Sequence, residues 1–117
     1  MDVTTATFER DVIERSHELP VVVDFWAAWC GPCRILGPAI EAEVAKRQGR
    51  IELAKIDVDA EQMLAAQYGI QSIPTVAVFR NGKPVTGFVG AHPAAVLGRF
   101  LDEAIAQDGE AVLSVSR

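Results

Sequence analysis

Long apolar runs are absent from this sequence. No stretch approaches the roughly 18 uninterrupted apolar residues that a membrane-spanning helix requires, so no membrane role is expected. The opening MDVTTATFER lacks the basic start and apolar centre of a secretory leader, and the expectation is a soluble, cytoplasmic protein. A basic face is missing too: 11 lysines and arginines are interleaved with 16 acids, for a net charge of -5. Binding phosphates needs concentrated positive charge, so nucleic acid is not an expected partner. Cysteine is scarce, with only Cys30 and Cys33, which excludes a disulfide-stapled secreted scaffold. Histidine is equally scarce. His17 and His92 lie far from the cysteines and from each other in sequence, without metal-ligand spacing, so no metal is expected.

Repeats, low-complexity segments and linkers are absent from residues 1–106. The 117 residues suit one domain, and with half of them apolar a packed core is expected. The expected organisation is a domain over 1–106 and a short tail, 107–117, of open structure: Ala111 to Ser116 reads as an edge strand or as disorder.

Hydrophobic periodicity sets out the elements. Val3 to Thr5 reads as a short strand. Thr7 reads as a helix N-cap, followed by Phe8, Val12 and Ile13 at helical spacing to about Ser16. Val21 to Ala27 is a strand apolar on both faces, as a strand covered from both sides must be. Pro32 suits a helix start, and Leu36, Ile40 and Val44 carry that helix to about Arg47, with a kink expected at Pro38. Ile51 to Val58 is a further strand. Asp59 reads as the cap of a short helix bearing Leu64 and Tyr68 and ended by Gly69. Thr75 to Phe79 and Val85 to Val89 flank the Asn81-Gly82 hairpin signal. Pro93 opens a last helix with Val96, Leu97, Phe100, Leu101, Ala104 and Ile105 inward. This order predicts an α/β domain: a mixed sheet of four to five strands with about four helices distributed over both faces.

The cysteines stand where strand gives way to helix, separated only by Gly31 and Pro32. Two thiols three positions apart on a helix start can close a disulfide. The unpaired N–H groups and positive dipole end of the helix favour a thiolate at Cys30. A thiol of pKa about 8.5 is roughly 3% ionised at pH 7, and one of about 7 is roughly half ionised. The thiolate is the attacking species. Cys30, at the loop–helix junction, reads as the exposed nucleophile toward a substrate disulfide. Cys33, a turn further in, reads as the more buried thiol that resolves the mixed disulfide. Half a zinc site and a pair of inert core thiols are the competing readings.

Trp29-Cys30-Gly31-Pro32-Cys33, preceded by Val23-Asp24-Phe25-Trp26-Ala27 and followed by Pro38, resembles the thioredoxin family. The likeness continues through Ala54-Lys55-Ile56-Asp57-Val58-Asp59, Tyr68-Gly69-Ile70, Ile73-Pro74-Thr75, Phe79-Arg80-Asn81-Gly82 and Val89-Gly90-Ala91, covering about residues 3 to 106.

Asp24 is a carboxylate inside an apolar run. It either faces solvent at a strand edge or is buried, and flanking apolar residues on both faces favour burial. A buried carboxylate without a full ion pair has a raised pKa and can take a proton near neutral pH. The resemblance implies that Asp24 assists deprotonation of Cys33 through water, with Lys55 as the nearby basic residue. Lys55 also reads as a plain surface lysine. The resemblance further implies a cis Ile73–Pro74 bond facing the cysteines, with the Ile73 backbone pairing with an extended substrate. Trp29, Gly31, Pro32, Ile73, Pro74, Gly90 and Ala91 would then form a small apolar docking patch. His92, where the family commonly has an apolar residue, reads mainly as a solvated residue at a helix start.

No charge stands between the cysteines. The thiolate of the reduced form is therefore stabilised less, which favours a reductant over an oxidant. The resemblance implies a monomeric protein-disulfide reductase without a bound cofactor. It would be recycled by a flavin-dependent thioredoxin reductase at the expense of NADPH, and would act on disulfide-containing client proteins. The alternatives are a disulfide oxidase or isomerase, and a non-catalytic binding or processivity subunit.

Overall fold

The apolar run after Pro20 forms strand β1, Val21–Trp26, and every residue of it except Trp26 is fully buried. In this computed structural model the backbone of residues 1–115 and the side chains of residues 1–106 are described. Helix α1, Gly31–Ala45, follows β1 and returns the chain to β2, Glu52–Asp57. The short α2 is Gln62–Gln67. Strands β3, Thr75–Arg80, and β4, Lys83–Val89, form the hairpin, and α3 is Ala94–Val115. The sheet order is β2-β1-β3-β4. β1 and β2 are parallel, as a strand–helix–strand crossover demands, while β3 and β4 are antiparallel to their neighbours. The predicted mixed sheet is thus present.

Alternation along β1 divides the core. Val21, Val23 and Phe25 face one side, where they pack with Phe8, Val12, Leu64 and Phe79. Val22 faces the other, with Leu36 and Ile40 of α1 and Leu97 and Leu101 of α3. Since side chains change face at every residue, Asp24 shares the α1/α3 side with Val22 and Trp26. The register sets Asp24 between Lys55 of β2 and Val76 of β3.

Several expected elements differ in form. The first strand is reduced to one bridge between Asp2 and Lys55, supported by the Val3 N–H to Lys55 carbonyl bond. The first helix is a π-helical stretch, Glu9–Glu14, running into a 3-10 turn, Arg15–His17, and its cap lacks a side-chain bond. Thr7 is not that cap: its hydroxyl accepts from Thr4 N–H. Nor does Asp59 cap α2. Asp57 accepts from the N–H groups of Asp59 and Ala60, closing a turn on its own carboxylate. The tail expected after residue 106 instead continues α3 as far as Val115, including the part of Ala111 to Ser116, read as an edge strand or disorder, that lies within the described residues. A helix whose first turns are already formed gains one backbone hydrogen bond for each further residue fixed, which carries α3 past Ala106. Ser116, the last residue of that reading, lies outside the described residues.

The hairpin follows its sequence signal. Asn81 and Gly82 have φ of 53° and 84°, the left-handed pair that a tight two-residue hairpin turn needs. Gly82 is also close to His17 and Ile13. Gly82→Ala is expected to cost about 1 kcal/mol in urea unfolding, because a Cβ is disfavoured at that φ.

Candidate active site

Cys30 is the N-cap of α1 and has extended backbone geometry, so the strand–helix junction falls on the first cysteine. Pro32 occupies the first turn, where its missing N–H costs nothing. Cys33 lies one turn in, with Cα atoms 5.3 Å apart, and the two sulfurs are bonded as a disulfide. The Cys33 N–H, one of the free amides at the helix start, donates to Cys30 Sγ at 3.2 Å. An amide aimed at that sulfur, added to the positive helix end, favours a thiolate there when the pair is reduced.

The expected difference in burial is absent. Cys30 is 4% exposed and Cys33 5%. With the disulfide closed, both sulfurs are packed among Ala27, Trp26, Val58 and Ile73, so surface area does not distinguish them. Their surroundings do. Cys30 Sγ lies 3.8 Å from the Ile73 carbonyl oxygen, on the side of the Ile73–Pro74 segment. Cys33 lines a groove with Trp26, Gly37, Pro38, Glu41 and Lys55.

The Ile73–Pro74 bond is cis. Gly90 donates its N–H to the Pro74 carbonyl at 2.8 Å, which ties the end of β4 to the Ile73–Pro74 segment. Trp29 is 67% exposed, and its indole N–H donates to Asp59 at 2.8 Å. Gly31, Pro32 and Ala91 are exposed, and Ile73 and Gly90 are half-buried. Pro74 is itself buried, so it backs the expected docking patch and is not part of its surface. His92 departs from the solvated residue expected. It is half-buried, with its ring edge-to-face on Phe88, which packs in the same way on Phe100.

Asp24 is 1% exposed, and neither carboxylate oxygen has a hydrogen-bond partner in the protein. Burial pushes its pKa up to about 6; the Lys55 ammonium pulls against this, and the Glu41 carboxylate adds to it. Lys55 is not the plain surface lysine of the simplest reading. Its side chain is 21% exposed, its ammonium lies 5.4 Å from the centre of the Trp26 ring, and its ion-pair partner is Glu41, at 3.8 Å.

Three residues around the site carry roles that the sequence did not announce. Arg34 folds back so that Nε and Nη2 donate to the Ala28 carbonyl at 3.1 and 2.8 Å, bracing the loop before Cys30. Asp59 anchors Trp29, and Glu41 holds Lys55. Arg34 and Glu41 were detectable only by their place one and eight residues after Cys33 on a helix. Nothing local marked Asp59 as a partner of Trp29, 30 residues away.

The thioredoxin family model matches residues 1–103. Thioredoxin 1 of a Nostoc species is 41% identical over 101 residues, spanning 86% of this chain and 92% of that protein. A thioredoxin of Streptomyces clavuligerus is 48% identical over 98 residues, spanning 84% of this chain and 89% of that protein. A bifunctional thioredoxin reductase/thioredoxin of Mycobacterium leprae is 40% identical over 105 residues, 90% of this chain but 22% of that longer protein. The family model over residues 1–103 and relatives 40–48% identical over most of this chain, together with a cysteine pair bonded as a disulfide at a helix start, establish that the chain belongs to the thioredoxin family of disulfide oxidoreductases.

Proposed function

We propose that this protein reduces disulfides of client proteins, with Cys30 as nucleophile, Cys33 as resolving thiol and Asp24 as the proton-transfer group. The observation that carries the reading is the cysteine pair on the first turn of α1, with the Cys33 amide aimed at Cys30 Sγ. In the reduced protein the Cys30 thiolate attacks one sulfur of the client disulfide. A mixed disulfide forms and the other client sulfur leaves as a thiolate. Cys33 then loses its proton and attacks Cys30 Sγ, which breaks the mixed disulfide and releases the second client sulfur. Two electrons have passed to the client, and Cys30–Cys33 is left oxidised.

Asp24 suits the second step. A carboxyl whose pKa burial pushes up to about 6 is mostly ionised at pH 7 yet basic enough to accept a thiol proton. Its partnerless oxygens and the groove at Cys33 support transfer through water. Lys55 acts on this step through its charge. Trp29, Gly31, Pro32, Ile73, Gly90 and Ala91, backed by Pro74, form the docking surface, and the Ile73 backbone orients the client chain over Cys30.

Gly31 and Pro32 place no charge between the cysteines, which supports the direction of a reductant. The reductase fused to a thioredoxin unit in the Mycobacterium leprae protein supports thioredoxin reductase as the electron donor, with NADPH consumed there and no cofactor bound here. The residues that carry the activity lie within the domain 1–106, and the protein acts as a monomer in the cytoplasm, where a dithiol stays reduced.

The test is NADPH oxidation in a mixture of thioredoxin reductase, this protein and insulin as disulfide substrate. Consumption that scales with this protein is expected. No consumption above the reductase alone, or a reduction potential in the range of oxidising-compartment isomerases, overturns the reading.

A further inference from the structure

We propose that Glu41 is a positioning residue for proton transfer: it holds the Lys55 ammonium at the mouth of the groove, against Gly37 and the Trp26 ring, and so keeps it out of an ion pair with Asp24. The proposal rests on Asp24 being the proton-transfer group.

Lys55 and Asp24 are register partners on adjacent parallel strands, and their side chains emerge on the same face. A lysine beside a buried carboxylate would ordinarily close an ion pair. Here it does not: both Asp24 oxygens lack a hydrogen-bond partner, and the Lys55 ammonium is 3.8 Å from Glu41 Oε2. Two features hold the ammonium away. Glu41, half-exposed on α1, supplies the opposite charge. The Trp26 ring centre lies 5.4 Å from it. Gly37 lies beside the ammonium without constraining it: a Cβ there would stand 3.6 Å from Nζ, an ordinary contact.

The charged and titratable groups around Asp24 are few. β2 supplies Lys55 and Asp57, and Asp57 spends its carboxylate on the Asp59 and Ala60 amides. α1 supplies Cys33, Glu41 and Arg34, and Arg34 is turned to the Ala28 carbonyl. β3 presents Val76, and α3 presents Leu97, Leu101 and Ala104 to this layer of the core. Lys55 is therefore the one cation free to reach Asp24 among these groups, and Glu41 the anion that competes for it. A full Lys55–Asp24 pair would fix the carboxylate in its ionised form and weaken it as a base. Holding the ammonium at the groove mouth leaves the carboxyl able to gain and lose a proton near neutral pH.

The experiment follows the Asp24 carboxyl directly, by carbon-13 NMR titration of the oxidised full chain, with Asp24→Asn to assign the resonance. In Glu41→Gln the midpoint should move to lower pH by roughly half a pH unit, about a threefold change in the ionisation constant. In Lys55→Met it should move to higher pH. Adding Glu41→Gln to Lys55→Met should produce less than half of the shift that Glu41→Gln produces alone. The pH profile of the resolving step, read as release of a preformed Cys30 mixed disulfide, should move in the same sense with Glu41→Gln. An unmoved midpoint in Glu41→Gln overturns the inference, as does the same shift with and without Lys55. If Asp24→Asn resolves the mixed disulfide at the wild-type rate and pH profile, the proton-transfer reading fails instead, whatever the titration shows.

Discussion

Replacing Cys30 by serine is expected to remove disulfide reduction down to the uncatalysed background, while Cys33→Ser stops the cycle half-way. The reason is the nature of the two bonds exchanged. A serine hydroxyl is almost wholly protonated at neutral pH and does not displace sulfur from sulfur, so no mixed disulfide forms with Cys30→Ser. With Cys33→Ser the Cys30 thiolate still attacks, but no second thiol is present one turn away to release the product. A stable mixed disulfide with the client should therefore accumulate in stoichiometric amount, be visible by non-reducing gel or intact mass, and dissolve on adding dithiothreitol. The pair separates this protein from a non-catalytic subunit, for which both variants would retain function in the assembled complex. Multiple turnover by Cys30→Ser, or failure of Cys33→Ser to trap any client, would reverse the assigned roles. The comparison matters because the two sulfurs are equally buried in the oxidised protein, and only their neighbours, Ile73 for Cys30 and the groove for Cys33, tell them apart.

Removing the Asp24 carboxyl should stabilise the protein at neutral pH relative to acid pH. In the unfolded chain this group loses its proton near the ordinary 3.8, and in the folded protein near 6. Between those values the folded state holds more protons than the unfolded state, so raising the pH destabilises the fold. The contribution is favourable and fully present below the unfolded value, and it is lost as pH rises through about 6. The shift corresponds to about 3 kcal/mol of destabilisation from ionising a carboxylate in an apolar layer. Asp24→Ala leaves a small cavity whose cost does not depend on pH. The variant's stability relative to wild type, from urea unfolding, should therefore rise by about 3 kcal/mol between pH 3.5 and pH 7.5. A difference that stays flat over this range would mean that the carboxyl is not held in its protonated form by burial. The same substitution should slow resolution by Cys33, so stability and activity would move in opposite directions at this position.

The arginine at the far end of α1 shows a different use of buried charge. Arg47 donates to the Glu43 carbonyl and carboxylate, to Asp102 and to the Gly98 carbonyl, tying α1 to α3. Every donor group has a partner, so this cluster is structural. Asp24 is buried with no such partners, and that contrast supports the proposed proton-transfer role.

Local chemistry alone determined a large part of this protein. Strand β1 is legible because an apolar residue on both faces has no stable place except between two covering layers. The hairpin is legible because Asn81 and Gly82 are the residue types that accept left-handed φ. The cysteine pair at a helix start is legible because glycine, proline and the apolar step of four that follows all lie within a few turns. Tertiary structure decided what depends on partners distant in the chain. It brought Asp59 to Trp29, Gly90 to Pro74 and Glu41 to Lys55. It also withdrew Cys30 from solvent and Pro74 from the surface, and it replaced the π-helical first segment's expected cap with a bond back to Thr4. Side-chain type and spacing state which groups can ionise, bend or cap. Which charge faces which, and how much water remains between them, is set only when strands pair and helices close over them, because Coulomb and desolvation energies depend on distances through space, and sequence separation does not report those.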